Sequence, residues 1–310
     1  MSNANPFLYQ AAPADFTLRL IKQTKQYRHF SVTFSVASIN HYPGADIARG
    51  EYYEPVTAGK SPLIIQIHGW GDHSVLPFKW MLSGLLRKGI ACFILYQPFH
   101  ASRLPAQMKG KLSNLTPEEW FISYQMAVID VRRIVDWAEE NSRLDSSRIS
   151  VMGISLGGFV ASMAMGVESR IKSGIFFVSG GNTGKIMQIS RITKFRQGIR
   201  LSASKYQENQ LNYYNYLKEV AEKGFENVIP FHPFFQIDPL TYASMLKGRK
   251  VLMLNAAWDG IIPLAAAREF QQASGKAQLV TYPATHATIW ICYPLIMRQV
   301  IKFLVDSRVI

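Results

Sequence analysis

Cysteine is scarce in this chain, with two among 310 residues, Cys92 and Cys292. Both lie in apolar stretches, so two buried free thiols are expected and a disulfide-stapled fold is excluded. No Cys/His spacing of a zinc site occurs, and no metal is expected. No apolar run reaches about 18 residues, so no membrane span is expected. Residues 1–10 lack the basic and apolar regions of a secretion signal. A cytoplasmic location is the simplest expectation. Repeats and low-complexity tracts are missing, and only the first dozen or so residues read as disordered. Acidic residues are the scarcer sign, 21 against 34 Lys+Arg, for a net charge of +13. Such a balance favours anionic substrates, nucleic acid or anionic membrane surfaces. The basic residues are spread out, with no polybasic tract and no nucleic-acid motif, so nucleic-acid binding is not expected. An anionic or lipid-like small-molecule substrate stays open, and oligomeric state is not readable.

The apolar fraction, 48%, is enough for one large core with an inserted subdomain. Residues 30–36 alternate apolar and polar, as a half-exposed strand does, and 48–53 form a plausible hairpin partner. Residues 63–67 and 90–96 are nearly continuous apolar runs, as in buried parallel strands. Further strands are expected at 148–152, 175–178, 251–254 and 278–282. Helices are expected between them. One covers about 78–88 and ends at Gly89. Another starts at a capping box of Thr116 and Glu119, with Pro117 at its first position. Its apolar face runs through Val128, Val131, Ile134, Val135 and Ala138. A last helix covers about 289–305. This alternation predicts an α/β fold, a mostly parallel sheet with helices on both faces and an antiparallel N-terminal edge. Residues 182–247 break the rhythm. They carry no strand pattern and are rich in Lys, Arg, Tyr and Phe. They are expected to form a helical cap over the C-terminal edge of the sheet, where open α/β folds bind ligands. Residues 1–181 and 248–310 then form the core domain.

The run Val151-Met152-Gly153-Ile154-Ser155-Leu156-Gly157-Gly158 holds Gly-x-Ser-x-Gly between a strand pattern and a helix pattern. In that context the serine stands on a strained turn with its hydroxyl raised above the sheet. A Cβ at Gly153 or Gly157 would collide with neighbouring backbone. A serine hydroxyl is a weak nucleophile at neutral pH and needs a base, which in turn needs an orienting acid. Asp259 follows the strand at 251–254, and Gly260 frees the backbone beside it. Asp238 is the competing acid, but Asp238-Pro239 reads better as a turn or helix cap. His286 follows the last strand and is the sole histidine downstream of Asp259. The oxyanion donors expected are the amide of Leu156 and one from His68-Gly69-Trp70-Gly71 after an early strand, Trp70 ahead of Gly69. His68, Gly69, His73 and His100 are expected to line the substrate site.

Together these residues resemble the α/β-hydrolase superfamily over about residue 61 to the C-terminus. The likeness is greatest to its dienelactone-hydrolase and prolyl-oligopeptidase side. The run Leu95-Tyr96-Gln97-Pro98-Phe99-His100-Ala101-Ser102-Arg103 is similar to a loop after the fourth strand of esterase-like members. Thr285 stands before His286 where many members have glycine, and the His-Gly-Gly-Gly of another branch is missing. The resemblance implies an eight-stranded sheet with no cofactor and no metal. It implies a serine hydrolase cleaving a carboxylic ester through Ser155, His286 and Asp259. Acyl transfer, thioester hydrolysis and peptidase action would use the same acyl-enzyme. A non-catalytic fold that binds a ligand in the same pocket is the alternative from another class.

Overall fold

The computed structural model describes residues 5–10, 15–37, 45–71, 75–108, 115–191 and 200–310. Among these residues nine strands form one sheet. They are β1 (Thr17–Gln23), β2 (Tyr27–Ser35), β3 (Ile47–Pro55), β4 (Ser61–Ile67), β5 (Ala91–Leu95), β6 (Leu144–Ile154), β7 (Ile171–Phe177), β8 (Lys250–Ala256) and β9 (Gln278–Tyr282). Their order is β1-β2-β3-β5-β4-β6-β7-β8-β9. The first three strands are antiparallel, and β3 meets β5 antiparallel. From β5 to β9 every pairing is parallel. The expected eight strands are all present. The ninth, β1, escaped the periodicity because it is an edge strand, exposed at nearly every position. Its Thr-Leu-Arg-Leu-Ile-Lys-Gln has no face to bury and so carries no clear alternation.

The parallel strands bury both faces, and their side chains divide between two cores by the period of two. Leu63, Ile65, Ile67, Phe93, Leu95 and Val151 point into one core. Ile64, Cys92, Ile94, Met152 and Leu254 point into the other. The first is covered by α2 (Pro117–Glu140) and α3 (Leu156–Val167), the second by α1 (Leu76–Leu86) and a C-terminal helix over Tyr293–Asp306. Helix α2 begins at the expected capping box. The Glu119 amide donates to Thr116 Oγ1 (3.2 Å), and the Thr116 amide donates to Glu119 Oε2 (2.7 Å). Its predicted apolar face is fully buried. Helix α1 stops where Gly89 takes φ 73°, a left-handed conformation that costs glycine little. Residues 5–10 correct the expectation of disorder. Phe7 is fully buried against Tyr242, and its carbonyl accepts from Arg132 (2.7 Å). Cys92 is a buried free thiol, pushed up in pKa by burial; Cys292 is also free but half-buried.

Between β7 and β8 the chain contains no strand among its described residues. It forms α4 (Thr183–Ile189), α5 (Ala203–Lys223) and α6 (Pro239–Ala243), joined by short 3-10 turns. After β8 comes α7 (Leu264–Ala273); the last helix, Tyr293–Asp306, is α8.

A charged cluster holds the antiparallel strands to the parallel ones. Glu51 on β3 accepts from Lys79 of α1, from Tyr53, from His29 Nε2 (2.8 Å) and from Tyr96 at the end of β5. Burial alone would raise the Glu51 carboxyl. Donation by Lys79, Tyr53 and Tyr96 outweighs it and holds the group at about 2. Burial depresses His29 against the pull of Glu51, so His29 donates as a neutral ring and Lys79 supplies the positive charge. A depressed carboxyl contributes stability above its unfolded value of 4.5, and this is lost as pH falls towards 2. Glu51→Gln is therefore expected to lower stability at pH 7 by roughly 2 kcal/mol. The gap to the parent should narrow as pH drops below 4.5. Urea unfolding of both proteins across that range measures it; a gap independent of pH would contradict the assignment.

Candidate active site

Parallel strands running from β4 to β9 deliver Ser155, Leu156, Asp259, His286 and the loops that carry His68, Gly69, Trp70 and His100 to one edge of the sheet. Ser155 occupies the single residue between β6 and α3. Its backbone lies at φ 54°, ψ −118°, a region that costs a residue with a side chain about 1–3 kcal/mol. The Ser155 amide donates to Phe177 O of β7 (2.9 Å), and its carbonyl accepts from the amides of Gly158 (2.8 Å) and Phe159 (3.2 Å). The turn is closed tightly by its neighbours. A Cβ on Gly153 would strike the carbonyl of Gly157, and one on Gly157 would strike the carbonyl of Ile67 on β4.

Asp259 and His286 come from adjacent strand ends, which backbone bonds hold together. The Ala257 amide donates to Tyr282 O (2.8 Å), and the Trp258 amide donates to Ala284 O (3.0 Å). Asp259 Oδ1 accepts from the amides of Ile261 (2.8 Å) and Ile262 (2.9 Å). Its Oδ2 lies 2.7 Å from His286 Nδ1, and the Asp259 side chain is fully buried. His286 Nε2 lies 3.0 Å from Ser155 Oγ. An ionised carboxylate only accepts, so Nδ1 carries the ring proton. Nε2 is then left to accept from the serine hydroxyl. Thr285, the departure from the glycine of many members, has a positive role. Its hydroxyl lies 2.9 Å from that of Thr288, accepts from the Thr288 amide (3.3 Å), and so braces the turn that carries His286. The Thr-x-x-Thr spacing was the available signal.

A cavity of about 640 Å³ opens beside Ser155 and Leu156. Trp70, Trp120, Tyr124, Phe159, Tyr213 and Phe235 give it an aromatic wall, with Ile186, Met187, Ile237 and Ile262 among the aliphatic residues. Trp70 stacks on Trp120 with centroids 5.0 Å apart. Much of the wall comes from residues 182–247, whose richness in aromatic residues is plain in the sequence while their placement is not.

The family profile described as alpha/beta hydrolase domain containing 18 matches residues 22–224, about two thirds of the chain. The chain belongs to that family. The matched span includes Ser155 and ends before Asp259 and His286. Solved structures share the fold. An acetyl xylan esterase from Paenibacillus sp. R4 is 18% identical, with a TM-score of 0.66 over 93% of this chain and 89% of that one. Acetyl xylan esterase 1 from Thermoanaerobacterium sp. JW/SL YS485 is 17% identical, with a TM-score of 0.62 over 94% and 89%. An acylaminoacyl peptidase from Pyrococcus horikoshii is 16% identical, with a TM-score of 0.61 over 91% of this chain and 42% of that longer one. No curated protein sequence matches the chain.

Within this family member, several expected substrate residues have other places. His68 is fully buried: its Nδ1 lies 2.7 Å from Gly69 O, and its Nε2 accepts from the Gln97 amide (3.0 Å). It ties the loop after β4 to the loop after β5, and the cavity wall does not include it. Gly69 and His100 are likewise buried and absent from that wall; His100 Nδ1 lies 2.8 Å from Pro98 O, and its ring meets Trp70 edge-on. His73 lies outside the described residues. Arg103, at the end of the loop that begins at Leu95, is buried. It donates to Asp130 Oδ2 on α2 (2.8 Å) and to Tyr96 O (2.7 Å), pinning the loop. Burial pushes the Asp130 carboxyl up against the pull of Arg103.

Asp238 is the cap that its sequence suggested. It accepts from the Leu240 amide (2.9 Å) at the start of α6. It also accepts from the Asn182 amide (2.9 Å) and from the Thr183 amide and hydroxyl. One carboxylate thus clasps both ends of the segment between β7 and β8. Asn182, fully buried at φ 61°, donates to Gln210 of α5 (2.8 Å) and to Glu269 of α7 (3.2 Å). Burial would raise the Glu269 carboxyl, but hydrogen bonds from Lys185, Tyr214 and Asn182 hold it below its usual value. Asp238→Ala leaves several donors without an acceptor, some of them buried. The expected loss is about 3 kcal/mol, read as a lower urea midpoint. A variant as stable as the parent would contradict the clasp.

Proposed function

We propose that the chain is a serine hydrolase that cleaves a carboxylic ester through an acyl-enzyme. The observation that carries this reading is the run of contacts from Asp259 to His286 to Ser155, at 2.7 and 3.0 Å, beside an apolar cavity. Ser155 Oγ attacks the ester carbonyl, and its proton passes to His286 Nε2. Asp259 keeps the ring oriented and stabilises the imidazolium. The amides of Leu156 and Trp70 hold the oxyanion. The intermediate collapses, and the leaving alcohol takes the proton from Nε2. Water then attacks the acyl-serine, again deprotonated by His286, and the acid leaves with Ser155 restored.

The cavity wall supports an apolar acyl or leaving group. Residues 182–247 act as the cap that shapes this pocket, and the core domain supplies the reacting groups. The solved esterases share the fold at identities of 17–18%, so the substrate reading rests on the cavity and not on them.

Ser155→Ala removes the nucleophile and leaves the oxyanion donors. Turnover of a short aryl ester should fall by on the order of 10⁴-fold or more, with the unfolding midpoint within a degree or two of the parent. Steady-state kinetics beside a thermal melt check both; retained activity would overturn the assignment. Met187 lines the cavity and is half-buried. Met187→Trp should lower kcat/KM for a long acyl ester by about tenfold relative to an acetate ester. An equal change for both esters would contradict a role of this wall in chain-length choice.

A further inference from the structure

The outer surfaces of α1 and of the C-terminal helical stretch share one pattern. The stretch Thr288–Asp306 is 19 residues long and, by length and composition only, apolar enough to cross a membrane. It packs on the sheet through Ile289, Ile296, Val300, Phe303 and Leu304, yet only 28% of it is buried. Its outward stripe reads Ile291, Leu295, Arg298, Lys302, at helical spacings of three and four. Ile291 and Leu295 are 81% and 57% exposed. The outward stripe of α1 reads Leu76, Trp80, Ser83, Arg87 at the same spacings, with Leu76 and Trp80 44% and 50% exposed.

Both helices start at the edge of the sheet that carries Ser155, and both run away from it. Each therefore places apolar side chains at that edge and cations about two turns, or roughly 10 Å, further back. The helices are joined side by side: Tyr293 donates to Trp80 O (2.8 Å), and its ring meets Trp80 edge-on. A groove of about 620 Å³ between them is floored by Met297 and Ile301 and rimmed by Arg87, Lys88, Arg298 and Lys302. Among these stripes the one acid is Asp306, exposed one turn beyond Lys302 at the far end of the C-terminal helix. Trp258, 67% exposed beside Asp259, extends the apolar edge.

We infer that this face docks on an anionic phospholipid bilayer, with the apolar edge in the acyl boundary and the cations at the phosphates. An interfacial helix buries its apolar face about 5–10 Å deep, which matches the spacing of the two zones. Cations near an anionic surface add attraction that falls within a Debye length. Tryptophan and tyrosine suit the interface because one end of each ring system is polar. A second copy of the chain fits the face poorly. A two-fold contact centred on the groove would set the cluster of Arg87, Lys88, Arg298 and Lys302 against its own copy. The inference rests on this outer face and not on the chemistry at Ser155. If both hold, the bilayer lies against the edge where Ser155 stands.

The test is co-sedimentation of the full chain with vesicles. One set is phosphatidylcholine alone, and the other contains one part phosphatidylglycerol to two parts phosphatidylcholine. The parent should sediment with the anionic vesicles and be released as salt is raised. Ile291→Ser with Leu295→Ser, and separately Arg298→Glu with Lys302→Glu, should each weaken partition by about tenfold or more. Hydrolysis of a short water-soluble ester by both variants should match the parent, which separates a docking failure from a failure of the serine chemistry. A parent that stays in the supernatant, or variants that bind as it does, would overturn the inference. So would a dimer in sedimentation velocity that the same variants dissociate, which would assign the face to a second copy.

Discussion

Everything at the candidate site depends on the conformation of one residue. Ser155 is held at φ 54° between a strand and a helix, where a residue with a side chain is strained by about 1–3 kcal/mol. The strain persists because the surroundings leave no alternative. Gly157 packs against the carbonyl of Ile67 so closely that a Cβ does not fit, and Gly153 packs against Gly157. The Ser155 amide is tied to β7. Relaxing the turn would pull α3 off the sheet, and α3 is buried at nearly every position. The hydroxyl is presented at the sheet edge by core packing, and the two other groups are brought to it by the parallel order of β8 and β9.

The frame around that turn is braced by polar contacts that lie away from the cavity. Glu51 gathers β2, β3, α1 and Tyr96. Tyr96 precedes Gln97, which grips His68 through its side chain and its backbone amide. His68 precedes the loop bearing Trp70, and Arg103 pins the other end of the same loop system to α2. These contacts connect the antiparallel edge of the sheet to the loops beside Ser155. On the opposite side, Asp238 and Asn182 fasten the segment that forms much of the cavity wall. The edge that carries Ser155 is therefore clamped from both directions.

The parts legible in the sequence were those governed by local rules. Continuous apolar runs marked β4, β5, β7 and β8, and the Thr116–Glu119 box marked the start of α2. Chain order brought Ser155, Asp259 and His286 forward. Each comes directly after a strand, and parallel strands all deliver their C-terminal loops to one edge of the sheet. Roles set by long-range partners were not legible. His68 was expected at the substrate and is a buried brace, since its Gln97 partner is 29 residues away and chemically unremarked. The exposed edge strand β1 carries no buried face to announce it. The cavity wall is assembled from α2, α3 and the segment between β7 and β8, and no single stretch of sequence records that assembly. The outward stripes of α1 and α8 were written in the sequence, but only packing shows which face of each helix the sheet leaves uncovered.

The central claim is that Ser155 is an activated nucleophile. Treating the purified protein with a fluorophosphonate and locating the adduct by mass spectrometry tests it most directly. The account predicts one covalent adduct, on Ser155, lost in Ser155→Ala and strongly slowed in His286→Ala. A folded protein that takes up no adduct, or carries it on another residue, would contradict the account.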